Sequence, residues 1–188
     1  MKGLERITSV RLAEALAQAN LVPNEVISEA LYKQDNTGIP FVEILVDQGT
    51  ITEWDLAKIV VQHYQLPFLS PRSVQPNPEA VKCLTEEFLF ENRIVPIDVF
   101  GDVLTVAMPI LVPFKVLEQA CQLSGKKVFP AVGLFSENLT CLYELFPHRS
   151  KEEDENRKKR LLKKENKESA WENIFDLGDQ EVLKGLGG

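Results

Sequence analysis

The feature that most constrains the fold of this 188-residue sequence is a duplication between residues 11 and 63. Residues 11–34 (the first copy) read RLAEALAQANLVPNEVISEALYKQ, and residues 40–63 (the second copy) read PFVEILVDQGTITEWDLAKIVVQH. A shift of 29 positions places apolar residues on apolar residues, in the pairs Leu12/Phe41, Leu16/Leu45, Val22/Ile51, Ile27/Leu56 and Leu31/Val60. In each copy two apolar sets at helical spacing flank a break near Asn20 or Gly49, which predicts a helical hairpin.

Neither hairpin can bury its apolar face alone, so we expect the two copies to pack on each other around a pseudo-symmetric four-helix core. Thr8 or Ser9 can cap the first helix, and Thr52 followed by Asp55 resembles a capping box at the start of the fourth. Residues 33–38 are predicted to connect the second helix to the third, which we expect to run from Pro40 to Gly49.

After residue 65 the pattern changes to a proline-rich extended linker, followed by two short helices that open at Asn77-Pro78 and at Thr85. Three runs rich in β-forming residues then alternate with helical patterns. The predicted elements are strands at 93–97 and 103–108 joined by a hairpin turn, a helix at 111–123, a strand at 127–132 with Pro130 at an edge, and a helix at 137–145. The predicted fold class is therefore α+β, with a small ββαβα sandwich whose helices cover one face of the sheet.

These patterns divide the chain into residues 9–65, the duplicated hairpin subdomain, residues 66–147, the linker with the small α+β subdomain, and a charged tail at 148–188. An acidic cluster precedes a basic cluster in the tail, which suits either a helix or a solvated, disordered linker. Further on, the tail carries an apolar island: Trp171, Ile174, Phe175 and Leu177. Their near-helical spacing is typical of a peptide that docks on a protein partner, although folding back onto its own domain or disorder are the alternatives.

Charge and composition exclude several classes of function. Residues 1–147 contain 11 Lys+Arg against 18 Asp+Glu, whereas residues 148–188 contain 10 of each. An acidic folded part argues against binding long nucleic acid, which needs a cationic surface. We find no apolar run long enough for direct membrane insertion and no signal-peptide pattern, so we expect a cytoplasmic protein. Cys83, Cys121 and Cys141 are odd in number and far apart, which fits buried thiols better than disulfides or zinc ligands.

No catalytic motif is present in the sequence. A GxxxxGK[ST] phosphate loop is missing, no Ser or Cys lies in a nucleophile motif, and the two histidines, His63 and His148, have no motif partner. We therefore expect a protein that is not an enzyme and that has no metal site or required cofactor.

The register of the duplication resembles the N-terminal domain, of the GspE or MshEN type, of bacterial type II secretion and type IV pilus assembly ATPases. In that family a motif of the form RLGxxLxxxGxxxxxxLxxxLxxQ occurs twice with a five-residue spacer, and some members bind cyclic di-GMP through it. The first copy offers Arg11, Leu12, Leu16, Ile27, Leu31 and Gln34 at the matching positions, and residues 35–39 match the spacer. The later run VPIDVFGDVLTVAMPI is also similar to the family's second subdomain.

The resemblance implies a set of candidate cyclic di-GMP contacts. They are Arg11, Leu12, Ala13, Leu16, Asn20, Gln34, Phe41, Val42, Leu45 and Gly49. Several depart from the family pattern: Ala13, Asn20 and Val42 replace glycine, Pro40 replaces arginine and His63 replaces glutamine. Glycine gives clearance where a ligand lies against main chain, and arginine supplies a fixed charge and a stacking surface. We therefore predict that the duplication keeps its architecture and has lost its ligand.

The function implied by the resemblance is that of a non-catalytic adaptor or regulatory domain. It would act through protein–protein contacts in or beside a type II secretion or type IV pilus apparatus, with a secretion or pilus assembly component as its partner. The alternative is a cyclic di-GMP receptor domain that uses the tandem motif. A third alternative is a remnant of a split ATPase.

Overall fold

A computed structural model of the chain describes residues 8–149. In this range the fold consists of four helices from the two copies, two short helices, and a three-stranded sheet with two further helices. The first six helices are α1 (Ser9–Gln18), α2 (Asn24–Thr37), α3 (Phe41–Asp47), α4 (Glu53–Tyr64), α5 (Pro78–Val81) and α6 (Glu86–Asn92). The remaining elements are β1 (Val95–Phe100), β2 (Val103–Pro109), α7 (Phe114–Ser124), β3 (Lys127–Gly133) and α8 (Phe135–Leu145).

The sequence duplication is also a structural duplication. Helix α1 ends at Gln18 and α3 at Asp47, two positions that correspond under the shift of 29. Helices α2 and α4 begin at Asn24 and Glu53, which correspond in the same way. The paired apolar residues are buried or half-buried throughout. Each copy therefore contains two helices separated by a short turn at corresponding positions.

Side-chain caps fix three of the helix starts that the sequence indicates. Thr8 Oγ1 accepts a hydrogen bond from the Arg11 amide at 3.3 Å, so Thr8, not Ser9, caps α1. Thr52 Oγ1 accepts from the Asp55 amide at 3.1 Å and donates to Asp55 Oδ2 at 2.6 Å. The Thr85 side chain caps α6 by accepting a hydrogen bond from the Phe88 amide. These bonds satisfy backbone N–H groups that have no partner inside the helix.

The connector predicted at residues 33–38 is wrong, because α2 continues as a helix to Thr37. The Thr37 hydroxyl donates to the Lys33 carbonyl at 2.6 Å and accepts from the Ile39 amide at 3.1 Å, which satisfies polar groups in the last turn. Gly38, at φ +74°, ends the helix in the left-handed conformation. Other predicted boundaries move by a few residues: α3 ends at Asp47 rather than Gly49, α7 starts at Phe114 after Pro113, and α8 starts at Phe135.

The sheet has the order β1-β2-β3. Strands β1 and β2 pair antiparallel through the turn at Gly101, as predicted, and α7 crosses over so that β3 pairs parallel with β2. Pro130 lies on β3 at the edge of this sheet, where its missing N–H costs no ladder bond. The element order is ββαβα, and the α+β class is confirmed.

The proline-rich linker runs along the outer edge of β3. The Leu69 amide donates to the Val132 carbonyl at 2.8 Å, and the Val132 amide donates to the Pro67 carbonyl at 2.7 Å. Apolar residues of the hairpins and of the α+β unit (residues 66–147) belong to one continuous core that extends from Leu12 to Leu142. The boundary at residue 65 stays a prediction. Among the described residues, no helix is both long and apolar enough to cross a membrane.

Candidate functional site

The ends of the two hairpins meet at one corner of the helical unit. Gln34 Oε1 accepts a hydrogen bond from Ser9 Oγ at 2.7 Å and another from the Phe41 amide at 3.2 Å. The Tyr64 hydroxyl donates to the Thr8 carbonyl at 3.3 Å. The end of the first hairpin thus contacts the start of the second, and the end of the second contacts the start of the first. These hydrogen bonds tie the ends of the two copies together at one corner.

Arg11 lies at this corner and is exposed. Burial raises the pKa of the Tyr64 hydroxyl, and the positive charge of Arg11 opposes that rise, so the guanidinium is near the phenol. The ring of His63 packs edge-on against Tyr64 with centroids 4.8 Å apart. Arg11 and His63 are exposed here, whereas Gln34 and Tyr64 are half-buried, and we call these four residues the hairpin corner.

The ten candidate cyclic di-GMP contacts fall into two groups. Six are buried in the core and present almost no surface to a ligand: Leu12, Ala13, Leu16, Phe41, Val42 and Leu45. Arg11, Asn20 and Gly49 are exposed and Gln34 is half-buried. The side-chain amide oxygen of Gln34 (Oε1) already accepts two hydrogen bonds inside the fold. The role of these residues in ligand binding stays a prediction.

Asn20 and Gly49, which correspond in the two copies, share an unusual backbone conformation. Their φ angles are +52° and +69°, both left-handed. No atom of residues 8–149 lies within 4 Å of a Cβ built on Gly49, so none of these neighbours demands a glycine for clearance. Glycine and asparagine are the residues that tolerate this conformation best. The turn between the helices therefore accounts for the residue type at this position without a ligand.

The two copies differ in what their equivalent residues contact. Glu14 of the first copy is exposed, whereas its counterpart Glu43 is 4% exposed and forms an ion pair with Arg93. Glu53, at the start of α4, accepts hydrogen bonds from the amide and hydroxyl of Ser136, at 2.8 and 2.7 Å. Its counterpart Asn24 is exposed. The second copy is therefore the one that attaches to the α+β unit.

Arg93, which no sequence motif singles out, belongs to this attachment. Its backbone is left-handed (φ +50°), its carbonyl accepts from Asn138 Nδ2 at 2.8 Å, and its guanidinium lies 5.8 Å from the centre of the Phe135 ring. Asn138 Nδ2 also donates to the Ala107 carbonyl at 2.9 Å. The available signal was the single glutamate inside the apolar run PFVEILV of the second copy, since a buried carboxylate requires a partner.

Nucleophilic and metal-binding groups are scattered in the described part of the chain. No three His, Cys, Asp or Glu side chains between residues 8 and 149 cluster closely enough to hold a metal ion. The three cysteines are free thiols, and burial raises the pKa of Cys141 to about 11, which keeps it protonated. His148 lies 3.0 Å from Glu86 at the surface. The predicted partner-binding residues Trp171, Ile174, Phe175 and Leu177 lie outside the described residues.

Comparison with known proteins places the chain beside the family that the duplication resembles. Residues 64–150 match the MshEN domain model, so this match covers the α+β unit and not the two copies. The type IV pilus assembly ATPase PilB of Myxococcus xanthus is 28% identical over 100 residues, which is 53% of this chain and 18% of that protein. PilB of Thermus thermophilus is 27% identical over 139 residues, 73% of this chain and 16% of that protein. The chain therefore aligns with less than a fifth of each of these relatives.

Two solved structures share the fold. The structure described as MshE with cdg has a TM-score of 0.56 and 22% identity, and covers 71% of this chain and 96% of its own. The N-terminal domain of XpsE has a TM-score of 0.59 and 19% identity, with coverage of 76% and 95%. The resemblance to the N-terminal domains of type II secretion and type IV pilus ATPases is thus confirmed.

Proposed function

We propose that this chain is a non-catalytic adaptor or regulatory domain that acts through protein–protein contacts in a type II secretion or type IV pilus apparatus. The observation that carries the proposal is the likeness to ATPase N-terminal domains in a chain whose 188 residues contain no phosphate loop. Its partner is a secretion or pilus assembly component, and it works in the cytoplasm. The acidic surface of residues 1–147 disfavours long nucleic acid as a partner.

The unequal use of the two copies supports this role. The second copy is committed to the α+β unit through Glu43 and Glu53, while the equivalent residues Glu14 and Asn24 remain at the surface. The first copy therefore leaves open a surface whose counterpart already serves as a docking surface within the fold. This arrangement suits an adaptor, because one copy is bound within the fold and the equivalent surface of the other copy can contact a partner protein.

The direct test is affinity capture from the source cells with the tagged full-length chain as bait. We expect enrichment of an identified secretion or pilus component. A bait carrying Arg72→Ala, at an exposed position outside both copies in the sequence, serves as the matched control and should capture as well as the original. Absence of any such component above an unrelated acidic bait would contradict the adaptor role.

A second candidate function is cyclic di-GMP binding, favoured by the fold shared with the structure described as MshE with cdg. Arg11 and Gln34 match the family motif, Arg11 acts on Tyr64 and Gln34 bonds to Ser9 at the start of α1. Against it, Pro40 occupies the second arginine position and Val42 is 2% exposed, so the second copy supplies neither a guanidinium nor an open main chain. Saturable binding that Arg11→Ala removes is the result that would favour this candidate over the adaptor.

A further inference from the structure

Within residues 8–149, one half of one sheet face has no other element packed on it. In the register of the sheet, Phe100 lies opposite Val103, and Thr105 lies opposite Phe129. Residues opposite one another and residues two apart in a strand project from the same face. Phe100, Val103, Thr105 and Phe129 therefore share a face, which we call the open sheet face, and the exposed charges of Asp98 and Lys127 border it on the same side. Phe100 is 88% exposed and Phe129 is 51% exposed.

The same face is buried further along the strands, where Ala107 and Ala131 follow Thr105 and Phe129. The open sheet face thus continues an apolar surface that the rest of the fold already covers. It differs from the other exposed aromatic pair, Trp54 and Phe68, whose rings lie 5.3 Å apart and partly cover each other. Among the described residues, Phe100 is the large apolar side chain with the greatest exposed fraction.

We propose that residues 171–177 of the same chain cover the open sheet face. This segment carries Trp171, Ile174, Phe175 and Leu177, a set of large apolar side chains whose spacing in the sequence allows one continuous surface. Two phenylalanines on a strand surface offer flat rings for such side chains to pack on. The contact is intramolecular and does not depend on the adaptor role.

The length of the intervening chain permits this contact. The described chain ends at Arg149, whose Nε donates to Glu86 Oε1 at 2.6 Å and whose guanidinium lies 4.9 Å from the centre of the Phe90 ring. Between Arg149 and Trp171 there are 21 residues. A chain of that length spans up to about 70 Å when extended, which exceeds the width of a domain with a radius of gyration of about 15 Å. Every surface of the domain is within reach.

Tethering also selects the chain's own tail over an identical tail on another molecule. A segment that belongs to the same chain as its target acts at an effective concentration on the order of millimolar. At the micromolar concentrations of a typical solution experiment, the intramolecular contact therefore prevails over the same contact with a second copy. The occupancy of the open sheet face should accordingly not depend on protein concentration.

Tryptophan fluorescence of the full-length chain tests the proposal. The sequence has two tryptophans, so Trp54→Phe leaves Trp171 as the single reporter. We expect Trp171 to emit at short wavelength and to be protected from acrylamide quenching. Adding Phe100→Ser and Phe129→Ser should shift the emission to longer wavelength and increase quenching. Adding Leu123→Ser instead, at a 52% exposed position on α7, should change neither quantity.

The single variant Phe100→Ser is the control for unfolding of the double variant. A side chain that is 88% exposed contributes little packing, so its removal should leave the fold intact. It should give a partial shift with an unchanged thermal unfolding midpoint. The proposal is overturned if Trp171 is freely quenched in the Trp54→Phe protein, or if Leu123→Ser acts like the sheet-face changes. It is also overturned if the protection disappears on dilution, which would assign the contact to a second copy.

Discussion

The Glu43 carboxylate pairs with the Arg93 guanidinium where the second copy meets the α+β unit, and both side chains are largely withdrawn from water. Glu14, at the same position of the first copy, is exposed. One duplicated position therefore has two environments. The paired apolar positions are buried or half-buried in both copies. The polar position is exposed in the first copy, as Glu14, and paired with Arg93 of the α+β unit in the second, as Glu43.

Glu43→Ala should lower the free energy of unfolding by about 3 kcal/mol, because it leaves the partly buried Arg93 charge without its partner. Glu14→Ala is the matched control and should change stability by no more than about 0.5 kcal/mol. Urea denaturation of the two variants measures both quantities. Equal effects of the two substitutions would show that the ion pair does not stabilise this contact.

Gly49→Ala should destabilise the protein by about 1 kcal/mol, since alanine is strained at φ +69°. We add no steric cost, because none of the described residues has an atom within 4 Å of the new Cβ. Asn20→Gly at the equivalent position should be neutral or slightly stabilising. Thermal unfolding checks both. A large loss of stability in Asn20→Gly would mean that the asparagine side chain, rather than its backbone, is what the turn requires.

This pair also shows what the sequence could and could not predict. The break near Asn20 and Gly49 was visible as an interruption of the apolar pattern, and the helix starts followed from Thr52, Asn77 and Thr85. Our interpretation of glycine as clearance for a ligand competed with its role in a left-handed turn. Only the backbone angles separate the two roles, and they favour the turn at this position.

Gly133→Ala should cost about 2 kcal/mol, because a Cβ there would lie 2.7 Å from Asn138 Oδ1 and 3.3 Å from the carbonyls of Leu69 and Met108. Asn138 is fully buried and holds the Arg93 and Ala107 carbonyls through its Nδ2. The cost of Gly133→Ala should therefore be smaller in an Asn138→Ala background, as measured by a double-mutant cycle. Strict additivity would contradict the proposed steric conflict.

Long-range polar contacts of this kind could not be predicted, because local sequence patterns do not relate residues far apart in the chain. Asn138 and Arg93 lie 45 positions apart, and no periodicity relates them. The strands, their antiparallel turn and the edge position of Pro130 were predictable because alternation and turn residues are local signals. The extension of α2 to Thr37 was missed because polar residues such as Asp35 and Asn36 are common in both helices and connectors.

The stability of the protein should fall in alkaline solution partly through Cys141. Burial raises the pKa of its thiol from an ordinary value of 9.0 to about 11. Above pH 9 the thiol ionises in the unfolded chain while it stays protonated in the folded one. The contribution of the thiol to the free energy of unfolding is therefore complete below pH 9 and is lost as the pH rises through about 11. The stability difference between the original chain and Cys141→Ala should therefore narrow between pH 8 and pH 10. A constant difference would contradict this burial effect.

Cyclic di-GMP binding by the duplication distinguishes the adaptor from the receptor. Isothermal titration calorimetry of the full-length chain with cyclic di-GMP measures this binding directly. With six of the ten candidate contacts buried and Gln34 bonded within the fold, we predict no detectable binding heat at high micromolar ligand. Saturable heat that Arg11→Ala abolishes and Arg72→Ala preserves would contradict the account.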